Sequence, residues 1–307
     1  MSTYVARRLL WVPVTVWGVI TITFFLMYII PGDPARILIG GHVATAEGLA
    51  QLRHEMGLDR PVLVQYADYL TKALRGDLGR SFRLRVPVST LILQRVPNTA
   101  VLATASVLVA LLVAIPVGVL AATSRIRAFD RLVIALSTAG VSAPAFWVGV
   151  VSLYYLAFRT GWLPIGGTGT IAHLVLPVLV LGLRPTAVLA RLTRSSMLEV
   201  VGADYVRTAR AKGLAERTVI YRHALRNAIN PVLTYSGLLL AYLLGGAVVI
   251  ENVFAWPGLG KLLVDAMGSY DFPLVQGVVL FSASVIVLFN LLVDVLYAVL
   301  DPRVSYR

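Results

Sequence analysis

The sequence predicts an all-α integral membrane protein of six transmembrane helices, with a helical segment outside the membrane between the first two. Three observations predict it. First, 58% of the residues are hydrophobic and only 14% are charged, with mean hydropathy +0.81. A soluble domain of this length needs far more polar surface to cover its core. Second, the apolar residues fall in long, nearly uncharged runs, each about 20 residues or more, enough to cross roughly 30 Å of hydrocarbon. Third, the basic residues lie between those runs and are unevenly shared between them.

The predicted spans are 9–30, 98–123, 132–158, 171–190, 232–250 and 274–300. The first follows Arg7 and Arg8 and ends in the turn sequence Pro31-Gly32-Asp33-Pro34, which reads as a retained helix and not a cleaved leader. Pro116, Pro144 and Pro177 fall inside spans, where packed neighbours re-satisfy the freed backbone groups. Only Arg184 and Asp294 are charged within a span. Intramembrane charges tend to face a bundle interior or a water-filled path. Both sit seven residues before the next charge on the same side, Arg191 and Asp301. That equal depth makes an intramembrane pair one reading, beside snorkelling or, for Arg184, bonding to carbonyls freed by Pro185.

Orientation follows from the loops. Arg7 and Arg8, then Arg125, Arg127 and Arg131, then a basic cluster between 191 and 226, then Arg303 and Arg307 all lie on one side. The two short loops opposite carry one basic residue each, Arg159 and Lys261. The bias places both termini in the cytoplasm. The segment 31–97 is then external, and long loops translocate largely regardless of charge. Within it, Thr45 suits a helix cap and Gly57 a helix end. Pro61 suits the start of a second helix that ends at Gly76. Leu63, Tyr66, Ala67, Leu70 and Leu74 recur at helical spacing. The expected divisions are 1–30, 31–97, 98–300 and 301–307, with a polar cytoplasmic loop at 191–231.

Several chemistries are excluded. There is no cysteine, and hence no disulfide or thiolate chemistry. No phosphate-binding Gly-x4-Gly-Lys-Ser/Thr run exists, and Gly258-Leu259-Gly260-Lys261 has the wrong spacing. His42, His54, His173 and His223 are scattered and form no metal pair. The net charge of +12 lies in loops between apolar runs, not on a soluble module, which argues against nucleic acid. No internal doubling is visible, unlike many carriers that work alone.

The 191–231 loop carries the most specific pattern. Ala209, Gly213 and Leu225 match the spacing Glu-Ala-Ala, three residues, Gly, nine residues, Ile-x-Leu-Pro. That is the EAA loop of ABC-transporter permeases. The chain resembles the dipeptide/oligopeptide permease family of type I ABC importers. It departs from the general loop at Arg207, Thr208, His223 and Arg226, and its 204–214 run resembles the peptide branch. The resemblance extends to Gly76-Asp77-Leu78-Gly79-Arg80-Ser81, to Arg95-Val96-Pro97-Asn98-Thr99, to Phe254-x-x-Pro257-Gly258-Leu259-Gly260, and to Asp271-Phe272-Pro273.

The resemblance implies a type I ABC importer permease fold in a bacterial plasma membrane. It implies a heterodimer with a second homologous permease, two ABC ATPase subunits and an extracytoplasmic peptide-binding protein. ATP and Mg would bind the ATPases, and this chain would bind no cofactor. Ala209, Lys212, Gly213, Leu214, Glu216, Val219, Tyr221 and Leu225 would form the ATPase-coupling surface. Gly213 suits a left-handed corner between two helices. Loop charge alone also fits an amphipathic helix resting on anionic lipid. Phe146 and Trp147, beside Pro144, are candidate pathway residues, with packing as the plainer alternative. An ion-coupled carrier with Asp294 as its proton site is the alternative function, as is an importer of glutathione or nickel.

Overall fold

The computed structural model describes residues 2–29, 35, 46–124 and 126–300. In chain order the helices are α1 Ser2–Ile29, α2 Ala46–Glu55, α3 Val62–Leu74 and α4 Val88–Thr123. Then follow α5 Arg127–Ser142, α6 Ala145–Arg159, α7 Ile171–Val201 and α8 Asp204–Ala211. The rest are α9 Glu216–Ala228, α10 Asn230–Leu244, α11 Val248–Val253, α12 Leu259–Gly268 and α13 Phe272–Leu300. The described residues contain no strand, only an isolated bridge between Arg80 and Pro87.

The helices divide into two compact units, residues 1–99 with 257–307, and residues 100–256. In the first unit, α3 packs on α1. Phe24 lies 5.3 Å from the Tyr66 ring and 5.8 Å from the Tyr69 ring. The Tyr28 hydroxyl donates to Gln65 Oε1 at 2.7 Å, and Thr21 and Tyr66 share a hydrogen bond of 2.8 Å. The first turns of α4 pack on α12 and α13 through Val88, Ile92, Leu259, Leu262, Leu274 and Val278. Pro61 starts α3 as expected, Gly57 follows α2, and Gly76 follows α3 with φ +77°. Thr45, expected to cap α2, lies outside the described residues.

The second unit is organised around α7. Thr170 and His173 form a reciprocal cap at its start, satisfying orphan amides of the first turn. Gly118 and Gly182 let α4 approach closely: a Cβ at 118 would lie 2.7 Å from the Ala190 carbonyl oxygen, and one at 182 would lie 3.1 Å from that of Ser106. A second core gathers Leu102, Leu176, Ile250, Phe254 and Trp256.

Three expectations about spans are corrected. The run 132–158 is not one helix: α5 and α6 meet at 96° around Ala143 and Pro144. Proline restricts the residue before it to extended backbone, and Ala143 has ψ 125°. The run 232–250 ends as a helix at Leu244, and Gly246, with φ 122°, separates it from α11. The fourth span continues to Val201, so Arg191 and Arg194 lie on helix and not in the loop. By length and apolarity α4, α7 and α13 qualify as straight spans, and α5–α6 and α9–α10 as broken ones. The described apolar stretch of α1, Leu10–Phe25, is shorter.

Candidate functional site

The candidate site is the polar corner formed by α8 and α9, mounted on the end of α7. Asp204 stands in the first turn of α8, where a negative charge suits the helix dipole. It pairs with Arg207 one turn on. Helix α8 closes with the Lys212 amide donating to the Thr208 carbonyl at 3.1 Å and the Gly213 amide to that of Arg210 at 2.9 Å. Gly213 then adopts φ +73°. This left-handed backbone costs a Cβ-bearing residue about 1–2 kcal/mol, and it turns the chain into α9. The corner is thus set by the one residue type that enters this conformation freely.

The two helices are clipped together across the corner. The Arg210 guanidinium donates to the Glu216 carboxylate at 2.9 Å. The hydrogen bond to that carboxylate holds the Arg210 pKa above its ordinary value. Asn227 Nδ2 donates to the Tyr205 hydroxyl at 2.8 Å, joining the start of α8 to the end of α9.

Burial splits the predicted surface residues into two sets. Ala209 and Val219 point inward, with Val206, Ala224 and Ala228, onto Met197 of α7 and Val119 of α4. Val219 is 0% exposed. Leu225 is half-buried against the same cluster. These three therefore hold the corner from beneath. Lys212, Gly213, Leu214, Glu216 and Tyr221 face outward, and Leu214 and Tyr221 expose 40% and 47% of their surface. Leu214, Val219, Ile220 and Tyr221 therefore do not share one outward face, with Val219 and Ile220 serving the chain's own core. A π-helical turn over Val219–Ala224 accommodates this division. Its extra residue per turn shifts side-chain phase, and such turns recur at functional sites.

The other predicted residues lie on other elements. Phe146 and Trp147 occupy the first turn of α6, directly after the Pro144 break, and are 56% and 57% exposed. Arg184 is exposed on α7, before the buried Pro185. The Asp294 side chain lies outside the described residues, so the structure does not place the expected Arg184–Asp294 pair. An ion pair that sequence reading missed joins α5 to α7. Arg194 donates through Nε and Nη2 to both carboxylate oxygens of Asp130, the second at 2.8 Å. The signal was weak, because Asp130 sits among basic neighbours and its partner is 64 positions away.

Residues 114–306 match the family described as binding-protein-dependent transport system inner membrane component. Residues 1–103 match the N-terminal family of the same membrane components. The chain is 44% identical over its full length, and that of the relative, to the glutathione transport system permease protein GsiC of Salmonella typhimurium. It is 41% identical to the dipeptide transport system permease protein DppB of Escherichia coli, again covering all of both chains. Among solved structures, an inward-facing MetNI methionine ABC transporter chain matches with TM-score 0.57 at 20% identity. The match covers 69% of this chain and 97% of that one, which places the two in one fold.

Proposed function

The chain belongs to the family of binding-protein-dependent transport inner membrane components, and on that premise we propose that it is one permease half of an ATP-driven importer of short peptides, worked through the α8–α9 corner. Glutathione and dipeptides, the cargoes named for its relatives, are both small and carry amide bonds and free carboxylates. A second, homologous permease completes the pathway. Two ATPase subunits bind ATP and Mg on the cytoplasmic side, and an external binding protein delivers the cargo. Both termini are cytoplasmic, in keeping with the basic residues between spans.

The observation that carries the coupling role is the pairing of a rigid underside with an exposed tip. Val206, Ala209, Val219 and Ala224 are buried against α4 and α7, while Leu214 and Tyr221 project. A partner that moves Leu214 must therefore move α7 with it, since close-packed contacts transmit displacement. An interfacial lipid helix would need its apolar residues on one outward face, and here half of them point inward. The test is Leu214→Asp, which sets a charge where an apolar contact is proposed. Membrane levels should remain normal, while co-purification of the ATPases and stimulation of hydrolysis by the binding protein should fall. Retention of both at wild-type level would remove the coupling role.

A further inference from the structure

The first unit contains a cavity of about 820 Å³ that the coupling reading does not use. Its size falls in the range of roughly 300–1,000 Å³ typical of small-molecule sites. It lies between α2, α3 and the turn that leads into α4. Lys72, Arg80 and Arg85 line it, and no carboxylate pairs with any of the three among the described residues. Two acids line it as well. Asp68 is paired with Arg60 at 2.9 Å. Asp77 lines the cavity, and among the bonds described it accepts only the Gly79 amide, through Oδ1 at 2.9 Å. Tyr69 and Phe82 supply aromatic wall.

The cationic rim is held by a stiff turn. The Ser81 amide donates to the Val86 carbonyl at 3.0 Å, and the Arg85 amide to that of Ser81 at 2.9 Å. Arg85 itself has φ +55°, uncommon for a residue with a Cβ. Arg80 Nη2 donates to the Arg85 carbonyl at 2.8 Å, fixing one guanidinium over the turn. Such strain persists only where the surroundings enforce it, and it clusters at ligand sites. A guanidinium held as that of Arg80 is held loses little entropy on binding an anion, which favours a recognition role for it over a solvated charge.

We infer that this cavity is a binding site for a short zwitterionic peptide, with Lys72, Arg80 and Arg85 receiving its terminal carboxylate and Asp77 its ammonium group. The mixed lining decides the class. A phosphate or polyphosphate would gain from the cations but also meet the Asp77 carboxylate in the same lining. A zwitterion matches both signs, and arginine with carboxylate forms strong, directional, charge-assisted bonds. The choice of a peptide rests on the importer reading, whereas the site itself rests on the cavity.

The test uses the full-length chain in nanodiscs of zwitterionic lipid, without ATPases, titrated calorimetrically with trialanine, trialanine amide and glycerol phosphate. Trialanine should bind about tenfold tighter than its amide. The double change K72Q/R85Q should weaken trialanine by about tenfold or more and leave the amide unaffected. Arg75→Gln, a nearby cation outside the cavity lining, should bind as wild type does. Lys72 is exposed and glutamine at 85 inherits the same backbone, so an unchanged melting temperature should accompany the loss. Equal binding of trialanine and its amide, no response to the double change, or tighter binding of glycerol phosphate than of trialanine would each overturn the site. None of these outcomes bears on ATPase association, so a failure here is separable from a failure of the coupling role.

Discussion

The Asp271 carboxylate, 1% exposed, accepts the Ser81 hydroxyl from 190 positions away in the chain. It also accepts the main-chain amides of Phe82, at 3.1 Å, and Arg83, at 3.4 Å. One buried acid at the start of α13 thus fixes the turn before α4. Two of the short motifs singled out in the sequence are halves of a single structural joint.

That joint should be costly to break. Asp271→Ala leaves the Phe82 and Arg83 amides and the Ser81 hydroxyl without their acceptor; an unpaired buried donor such as the Ser81 hydroxyl costs about 1–3 kcal/mol, and the two part-buried amides add less. Ser81→Ala removes one donor and should cost less. Melting temperature in detergent should therefore fall in the order wild type, Ser81→Ala, Asp271→Ala. Equal stability of all three would refute the joint.

Helix contact at Gly118 gives a second expectation. A Cβ there would meet the Ala190 carbonyl oxygen at 2.7 Å, whereas one at Gly202 would meet nothing within 4 Å. Overpacking costs about 1–3 kcal/mol, so Gly118→Ala should lower the melting temperature and Gly202→Ala should not. A matching effect at both positions would mean that close α4–α7 packing is not what Gly118 serves.

The corner at Gly213 predicts a rescue. Gly213→Val puts a β-branched residue at φ +73°, and asparagine tolerates the left-handed region far better. Binding-protein-stimulated hydrolysis in reconstituted complexes should be lost with valine and largely kept with asparagine. Loss with both, at normal expression, would point to a contact at the glycine itself and not to backbone conformation.

Asp130 and Arg194 should behave as a coupled pair. Each side chain is 25% exposed, so water screens the attraction and only a modest stabilisation is expected. Neutralising either should still destabilise, and the double change should recover part of the loss. Additive effects on thermal unfolding would show that the contact contributes nothing.

Local features were legible in the sequence. Pro61 and Gly213 act on their own backbone, whereas the apolar stripe of α3 was only partly informative: Tyr66 meets α1, together with Gln65 and Tyr69, while Leu63 and Leu74 are exposed. Contacts across helices were not legible. The Arg194–Asp130 pair joins elements whose relative rotation no spacing rule supplies. Arg210 and Glu216 are six apart, a separation that brings side chains together only because Gly213 reverses the path between them. The inward turn of Val219 was hidden too, because a π-helical turn shifts the phase on which amphipathic reading depends. Pro144 was visible, but whether a proline is absorbed in a helix or breaks it depends on the packing around it.

The corner between α5 and α6 also bears on parity. Two helices at 96° do not share one axis across a bilayer, and α6 alone, at 1.5 Å per residue, measures about 22 Å against a hydrocarbon core of about 30 Å. If the bent segment crosses, Trp162 emerges opposite Arg131. If it folds back, the two emerge on the same face, and every later loop changes sides. The chain contains no cysteine, so a single thiol introduced at Trp162 or at Arg131 would be the sole target of a membrane-impermeant maleimide. Labelling from one face reads the parity directly.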